Sequence, residues 1–301
     1  MLKSLSVKAK MLLLSSLMVV GIIILAVILS LGMHSLVQIG QSAALSLQAE
    51  TTMRNLRIDE KDFLHRQDLK YQTEFNDNIS LITQQLSQLD SDLQSENIQI
   101  EQIPQLLTLI EKYHTAFNEI VALRQTIGLS HKEGLYGNLR RSVQEAEKML
   151  GNFQNDALLK DMLMLRRNEK DFMLRRDVSY VETFNNNLSV FYQNLQQSYL
   201  SDFEQRQISD LMSKYSDDFT QLVNAEQQFG FNEDLGQIGE MRSIVYQIQD
   251  LLNNTSEQIT DEVVAHEKSI FITAIISIAL ILVILILLSQ FISRSVVNPI
   301  N

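Results

Sequence analysis

Arg54, Arg57 and Lys61 stand three and four residues apart, the interval at which side chains share one face of a helix. Two guanidinium groups so placed suit fork-like, bidentate recognition of a carboxylate. Further along, Arg166 and Lys170 repeat Arg57 and Lys61, with Leu163 in the place of Arg54. Counted at about 100° per residue, Arg57, Lys61, Leu64 and Asp68 extend the apolar stripe of Tyr71, Phe75, Ile82, Leu86, Leu89 and Leu93. Arg166, Lys170 and Asp177 extend that of Tyr180, Phe184, Phe191 and Leu195 in the same way. Cations are therefore expected on inward stripes, where a charge is costly unless paired. Either Asp68, Asp177, Glu60 and Glu169 satisfy them as an internal ion network, or they line pockets for an anion. The spacing predicts a first site at Arg54, Arg57 and Lys61 that prefers a dicarboxylate. A second, at Arg166 and Lys170, has one cation fewer and is expected to take a monocarboxylate. Arg140 and Arg242 follow glycine-rich breaks and are weaker candidates for the first and second sites respectively.

Nothing points to catalysis. His34, His65, His114, His131 and His266 are scattered, without an i,i+4 pair or an HExxH motif, so metal ligation finds no support. There is no Ser/His/Asp signature, no phosphate-binding glycine loop and no cysteine. The chain is expected to be no enzyme and to need no cofactor. All 36 acidic residues lie between Glu50 and Glu267, against 25 Lys and Arg in the whole chain. An acidic middle argues against nucleic acid, which wants a basic stripe, and against lying on an anionic membrane surface.

The cationic segments belong to a repeat. Arg57–Asn78 and Arg166–Asn187 agree at 11 of 22 positions at an offset of 109. A second block, Lys112, Tyr113, Phe117, Gly128, Gly134, Gly137 and Arg140, recurs at an offset of 102 as Lys214, Tyr215, Phe219, Gly230, Gly236, Gly239 and Arg242. Two similar modules are expected, at about 54–155 and 163–262.

The elements that must position these residues are long helices, because 301 residues hold only 10 Gly and 2 Pro, too few turn-formers for a sandwich or barrel. Met11–Gly32 and Ser269–Ser289 are uncharged runs of 22 and 21 residues, long enough to cross a hydrocarbon core about 30 Å thick. Lys3, Lys8 and Lys10 precede the first and Arg294 follows the second, which places both termini in the cytoplasm. Residues 1–10 are then a cytoplasmic end, 11–32 and 269–289 the spans, 33–268 an exported block and 290–301 a cytoplasmic continuation. Periodicity predicts a helix from the first span to about Leu93, returning over 104–127, and a short helix over 138–150. A second long helix is expected over 156–197, a return over 203–228, and a last helix from about 240 into the second span. The expected fold is all-α: two stacked four-helix bundles of six helices, two of them long and shared, between two transmembrane helices.

A membrane helix, paired helices carrying R-x-x-EKDF-x-x-R-x-D-x-x-Y twice, and a second membrane helix resemble the helical bimodular sensor domain of bacterial chemoreceptors and some sensor kinases. The tail Ile292–Asn301, with Pro299, resembles the opening of a HAMP linker. The resemblance implies a homodimer in the bacterial inner membrane, a periplasmic sensing domain, and binding of small organic acids by arginines of the first long helix, here Arg54 and Arg57. It also implies output through a cytoplasmic module that contacts a kinase or adaptor. A histidine kinase or cyclase sensor, or a structural helical stalk that docks a periplasmic protein, are the alternatives.

Overall fold

A computed structural model of the chain describes residues 6–153 and 155–297. Lys3 and the end of the HAMP-like tail, Pro299 included, lie outside the described residues. The protein is all-α, with eight helices among the described residues: α1 (Val7–Arg66), α2 (Lys70–Ser95), α3 (Gln102–Ile127), α4 (Gly134–Asn152), α5 (Asp156–Arg175), α6 (Ser179–Gln196), α7 (Asp202–Phe229) and α8 (Gly236–Val297). Eight rather than six is a correction to the helix count read from periodicity. Both helices expected to be long and shared break inside the repeated motif, at 67–69 and 176–178.

The cause is local and the same in both copies. Gln67 and Arg176 adopt the left-handed conformation, each with φ of 56°. Their N–H groups reach back 2.8 Å to the carbonyls of Phe63 and Phe172, closing the helices with a left-handed cap. The next residue starts the following helix: Asp68 Oδ1 accepts from the Lys70 N–H at 3.0 Å, and Asp177 Oδ1 from the Ser179 N–H at 2.9 Å. The chain then runs back on itself. Asn78 donates to Asp59 and Asn187 to Asn168, both at 2.7 Å, and Asn194 donates to Asp161 at 2.6 Å. Pairs placed symmetrically about the break are what an antiparallel helical hairpin produces. Asp68 and Asp177 are therefore exposed turn residues rather than members of an inward stripe.

The chain divides into two compact units. One comprises Met1–Arg54, Ser80–Leu107 and Gln249–Asn301. Its buried side chains include Met53, Ile82, Leu86, Leu89, Leu93, Ile103, Leu106, Leu252 and Ile259, with Ser35 donating to Glu96 across α1 and α2. Two of its helices carry runs long and apolar enough to cross a membrane. Large apolar side chains from Met11 to Leu31 and from Phe271 to Leu287 stand exposed, a surface that only lipid or protein can cover favourably. Gly21 and Gly32 let these helices pass closely: a methyl group added there would come within 3.1 Å of Ile281 and 3.0 Å of Ile270.

The other unit comprises Asn55–Ile79 and Thr108–Ile248. Within it α4 packs along α7 and α5 along α6. Their core holds Leu139, Val143, Leu158, Met162, Phe172, Phe184, Phe191, Met212, Tyr215 and Phe219. The expected stripe residues Phe184, Phe191 and Leu195 are in it; Phe75 packs on Tyr113 and Phe117, and Tyr71 is buried as well. The two hairpin tips are built alike: Phe63 meets Phe117 edge-on at 5.6 Å, as Phe172 meets Phe219.

Candidate functional site

The repeated motif resolves into hairpin chemistry. Glu60 and Glu169 are buried just before each tip. Arg57 and Tyr113 donate to Glu60; Arg166 donates to both oxygens of Glu169 at 2.8 and 2.7 Å, and the Tyr215 hydroxyl to the same carboxylate at 2.8 Å. Burial works against the charge of Arg57 and Arg166, but the adjacent carboxylates hold both guanidinium groups above their ordinary pKa. Burial, together with the same carboxylates, pushes the Tyr113 and Tyr215 phenols well above their usual range. Arg66 and Arg175 pair with Asp62 and Asp171 in the last turn of α1 and α5 and lie near the rings of Tyr71 and Tyr180, at 6.0 and 5.8 Å.

Sequence reasoning missed a third cluster. Glu226 on α7 is 2% exposed, pairs with Arg124 at 3.3 Å and with Arg176 at 2.7 Å, and accepts a hydrogen bond from the Tyr136 hydroxyl. Arg176 Nη2 also donates to the Tyr136 oxygen at 3.1 Å. The Gln67 amide is satisfied with its oxygen 3.2 Å from Arg124 Nε and its nitrogen 3.0 Å from the Leu129 carbonyl. Both left-handed tip residues, Gln67 and Arg176, thus feed one network. Arg124 and Glu226 are repeat equivalents at the offset of 102, but matched positions of opposite charge do not by themselves mark partners: Lys132 and Asp234 are matched in the same way, and Asp234 pairs with Arg242.

Three of the seven cations singled out from the sequence line one cavity. Between α4 and α5 lies a space of about 260 Å³ bounded by Arg140, Arg166, Lys170, Glu147, Glu169, Tyr136, Gln144 and His131, with Leu139 and Met173 as apolar wall. Arg166 Nε is 3.2 Å from Glu147, and Lys170 Nζ 3.2 Å from Glu169. Among the described residues no carboxylate pairs with Arg140. Three cations against two carboxylates leave a formal charge of +1 with His131 neutral. Chain order groups Arg140 with the first module; packing instead sets it beside Arg166 and Lys170 of the second.

The other four are not brought to this cavity. Arg54 is 70% exposed, 3.9 Å from Glu50, and falls in the unit that does not contain Arg57. Lys61 is exposed, since the helix break at Gln67 shifts the register of the inward stripe; Lys170, before the equivalent break, is exposed as well although it borders the cavity. Arg57 is held by Glu60, and Arg242 by Glu233 and by Asp234 at 3.7 Å. Among the described residues, no group of three or more His, Asp or Glu side chains converges as metal ligands do. No family model and no curated protein matches the chain.

Proposed function

We propose that this chain is the sensing portion of a transmembrane receptor that binds a small carboxylate outside the cytoplasmic membrane. The observation that carries this reading is the convergence of Arg140, Arg166 and Lys170 on one cavity with a net charge of +1, matched to a monocarboxylate. Charge-assisted hydrogen bonds of this kind are roughly twice as strong as neutral ones. The ends of the chain support a two-span topology, since apolar runs with basic flanks bracket an acidic block. In this topology Ser6 is cytoplasmic, and the α4–α7 helices stand in the periplasm of a bacterial inner-membrane protein. The finer architecture we propose is two stacked four-helix bundles, one of α1, α2, α3 and α8 and one of α4–α7. The repeated EKDF motif resembles that of helical bimodular chemoreceptor domains, and with it come a homodimer and output through a HAMP linker to a kinase-contacting module, or to a kinase or cyclase. α8 runs unbroken from Gly236 to Val297, so a ligand that favours one packing by 1–3 kcal/mol biases its position about 5- to 150-fold.

A second reading has its own observation. The buried Arg57–Glu60–Tyr113 and Arg166–Glu169–Tyr215 groups are internally satisfied, as a non-sensing or protein-docking stalk requires. Calorimetric titration of the detergent-solubilised chain with acetate, propionate, succinate and malate separates the two. The receptor reading expects saturable binding of a monocarboxylate, weakened tenfold or more in Arg140→Ala. Heats equal to dilution for every acid leave the stalk.

A further inference from the structure

The two helix breaks that precede Arg140 and Arg242 share their glycines but not their charges. Residues 128–140 carry Lys132, Glu133 and Arg140, a sum of +1, whereas residues 230–242 carry Glu233, Asp234, Glu240 and Arg242, a sum of −2. The backbones match: Gly128 and Gly230 both sit at φ of 119°, and Gly134 and Gly236 at 54° and 61°. Side chains at equivalent positions therefore start from equivalent places, and what differs is what each loop offers its arginine. Glu233 and Asp234 both close on the Arg242 guanidinium. Their equivalents at the offset of 102 are His131 and Lys132, which can accept no such pair, and Arg140 is left facing the cavity that His131 also lines.

We propose that the residue pair at 131–132 and 233–234 selects which copy of the repeat takes an anion: His131 and Lys132 keep Arg140 available, while Glu233 and Asp234 occupy Arg242 from within. This rests on the receptor reading for the identity of the ligand, but the selection itself is a property of the two loops. An anion approaching Arg242 must displace two carboxylates and meets their repulsion. At Arg140 it meets a guanidinium that no carboxylate pairs among the described residues, with Lys132 close by in sequence and the His131 ring, which carries no negative charge, on the same cavity wall. Exposed charges act through high dielectric, so each contributes modestly. The difference of three charges between the loops is nevertheless enough for a change of tenfold or more in anion affinity, about 1.4 kcal/mol.

Two measurements on the full chain in detergent test this. The first needs no ligand: modification by an arginine-selective phenylglyoxal, mapped by peptide mass spectrometry, compares Arg140 with Arg242. Arg140 is expected to react several-fold faster, and Glu233→Gln with Asp234→Asn to raise the Arg242 rate while leaving Arg140 unchanged. Equal rates in the wild type, or an Arg242 rate insensitive to the double substitution, overturn the selection. The second is acetate titration. His131→Glu with Lys132→Asp is expected to weaken binding at least tenfold, and Glu233→His with Asp234→Lys to raise the stoichiometry from one to two per chain. Two sites in the wild type, or unchanged affinity in the first variant, also overturn it. A chain that shows the expected arginine reactivities but binds no acid keeps the selection and loses the receptor reading.

Discussion

Asp59 and Asn168 occupy the same place in the two hairpins, and each accepts a hydrogen bond of 2.7 Å from the equivalent asparagine, Asn78 or Asn187. The protein thus contains its own isosteric comparison. Burial raises the pKa of Asp59; the Asn78 bond works the other way, and the carboxylates of Glu74 and Asp62 add to the rise. A carboxyl whose folded pKa lies above its unfolded value destabilises the fold when ionised, and the penalty disappears as pH falls towards the unfolded value near 4. Asp59→Asn is therefore expected to raise the melting temperature at pH 7.5, with the advantage over wild type shrinking towards zero near pH 4. Paired thermal melts across that range check both the sign and the window. Glu226 sets the opposite case. Its carboxylate holds two arginines and the Tyr136 hydroxyl, so Glu226→Ala leaves the buried Arg124 and the half-buried Arg176 without their carboxylate and is expected to cost about 3 kcal/mol. Combining Arg124→Met with Glu226→Met should recover part of that loss, measured as a double-mutant cycle in the melting curves.

The elements that place these residues are short hairpins and their glycine breaks. At Gly128 and Gly230 the backbone lies at φ of 119°, and an added Cβ would stand 2.3 Å from the Glu133 carbonyl oxygen or 2.1 Å from that of Leu235. Gly128→Ala and Gly230→Ala are each expected to destabilise by about 1–3 kcal/mol, visible as a melting point lowered by several degrees. The helix tips were less legible in the sequence. Gln67 and Arg176 take a conformation that glycine or asparagine more often supplies, so neither signals a stop. Asp68 and Asp177, which start the following helices, also fit a helical count, and that count hid the reversal. In contrast, Tyr71, Phe75, Phe184 and Phe191 lie in the core as their spacing predicts, because each stripe between breaks keeps its own period. The charged positions beyond the breaks lose that register, which is why Lys61 and Lys170 are exposed; Arg140 joins the second module for a different reason, the packing of α4 beside α5.

For the whole molecule, the absence of any cysteine makes topology directly measurable. A cysteine at the fully exposed Tyr199 is expected to react with a membrane-impermeant maleimide in intact spheroplasts, and one at Ser6 only after permeabilisation. The reverse pattern, or equal labelling, removes the proposed orientation. What the sequence alone determined was helicity, from the scarcity of glycine and proline, two apolar spans from length and charge, and a duplicated module from matched offsets. These are properties of local composition or of comparison within one chain, and no neighbour in space is needed to read them. Where the chain turns back, which module owns Arg140, and that Gln67, Arg124, Glu226 and Arg176 form one network were decided only by tertiary structure. A reversal costs a single left-handed residue, and its stabilisation comes from partners far along the chain: Phe75 on Phe117, Asn78 on Asp59, Arg124 on Glu226. Such contacts set the fold's energy without leaving a mark on local periodicity.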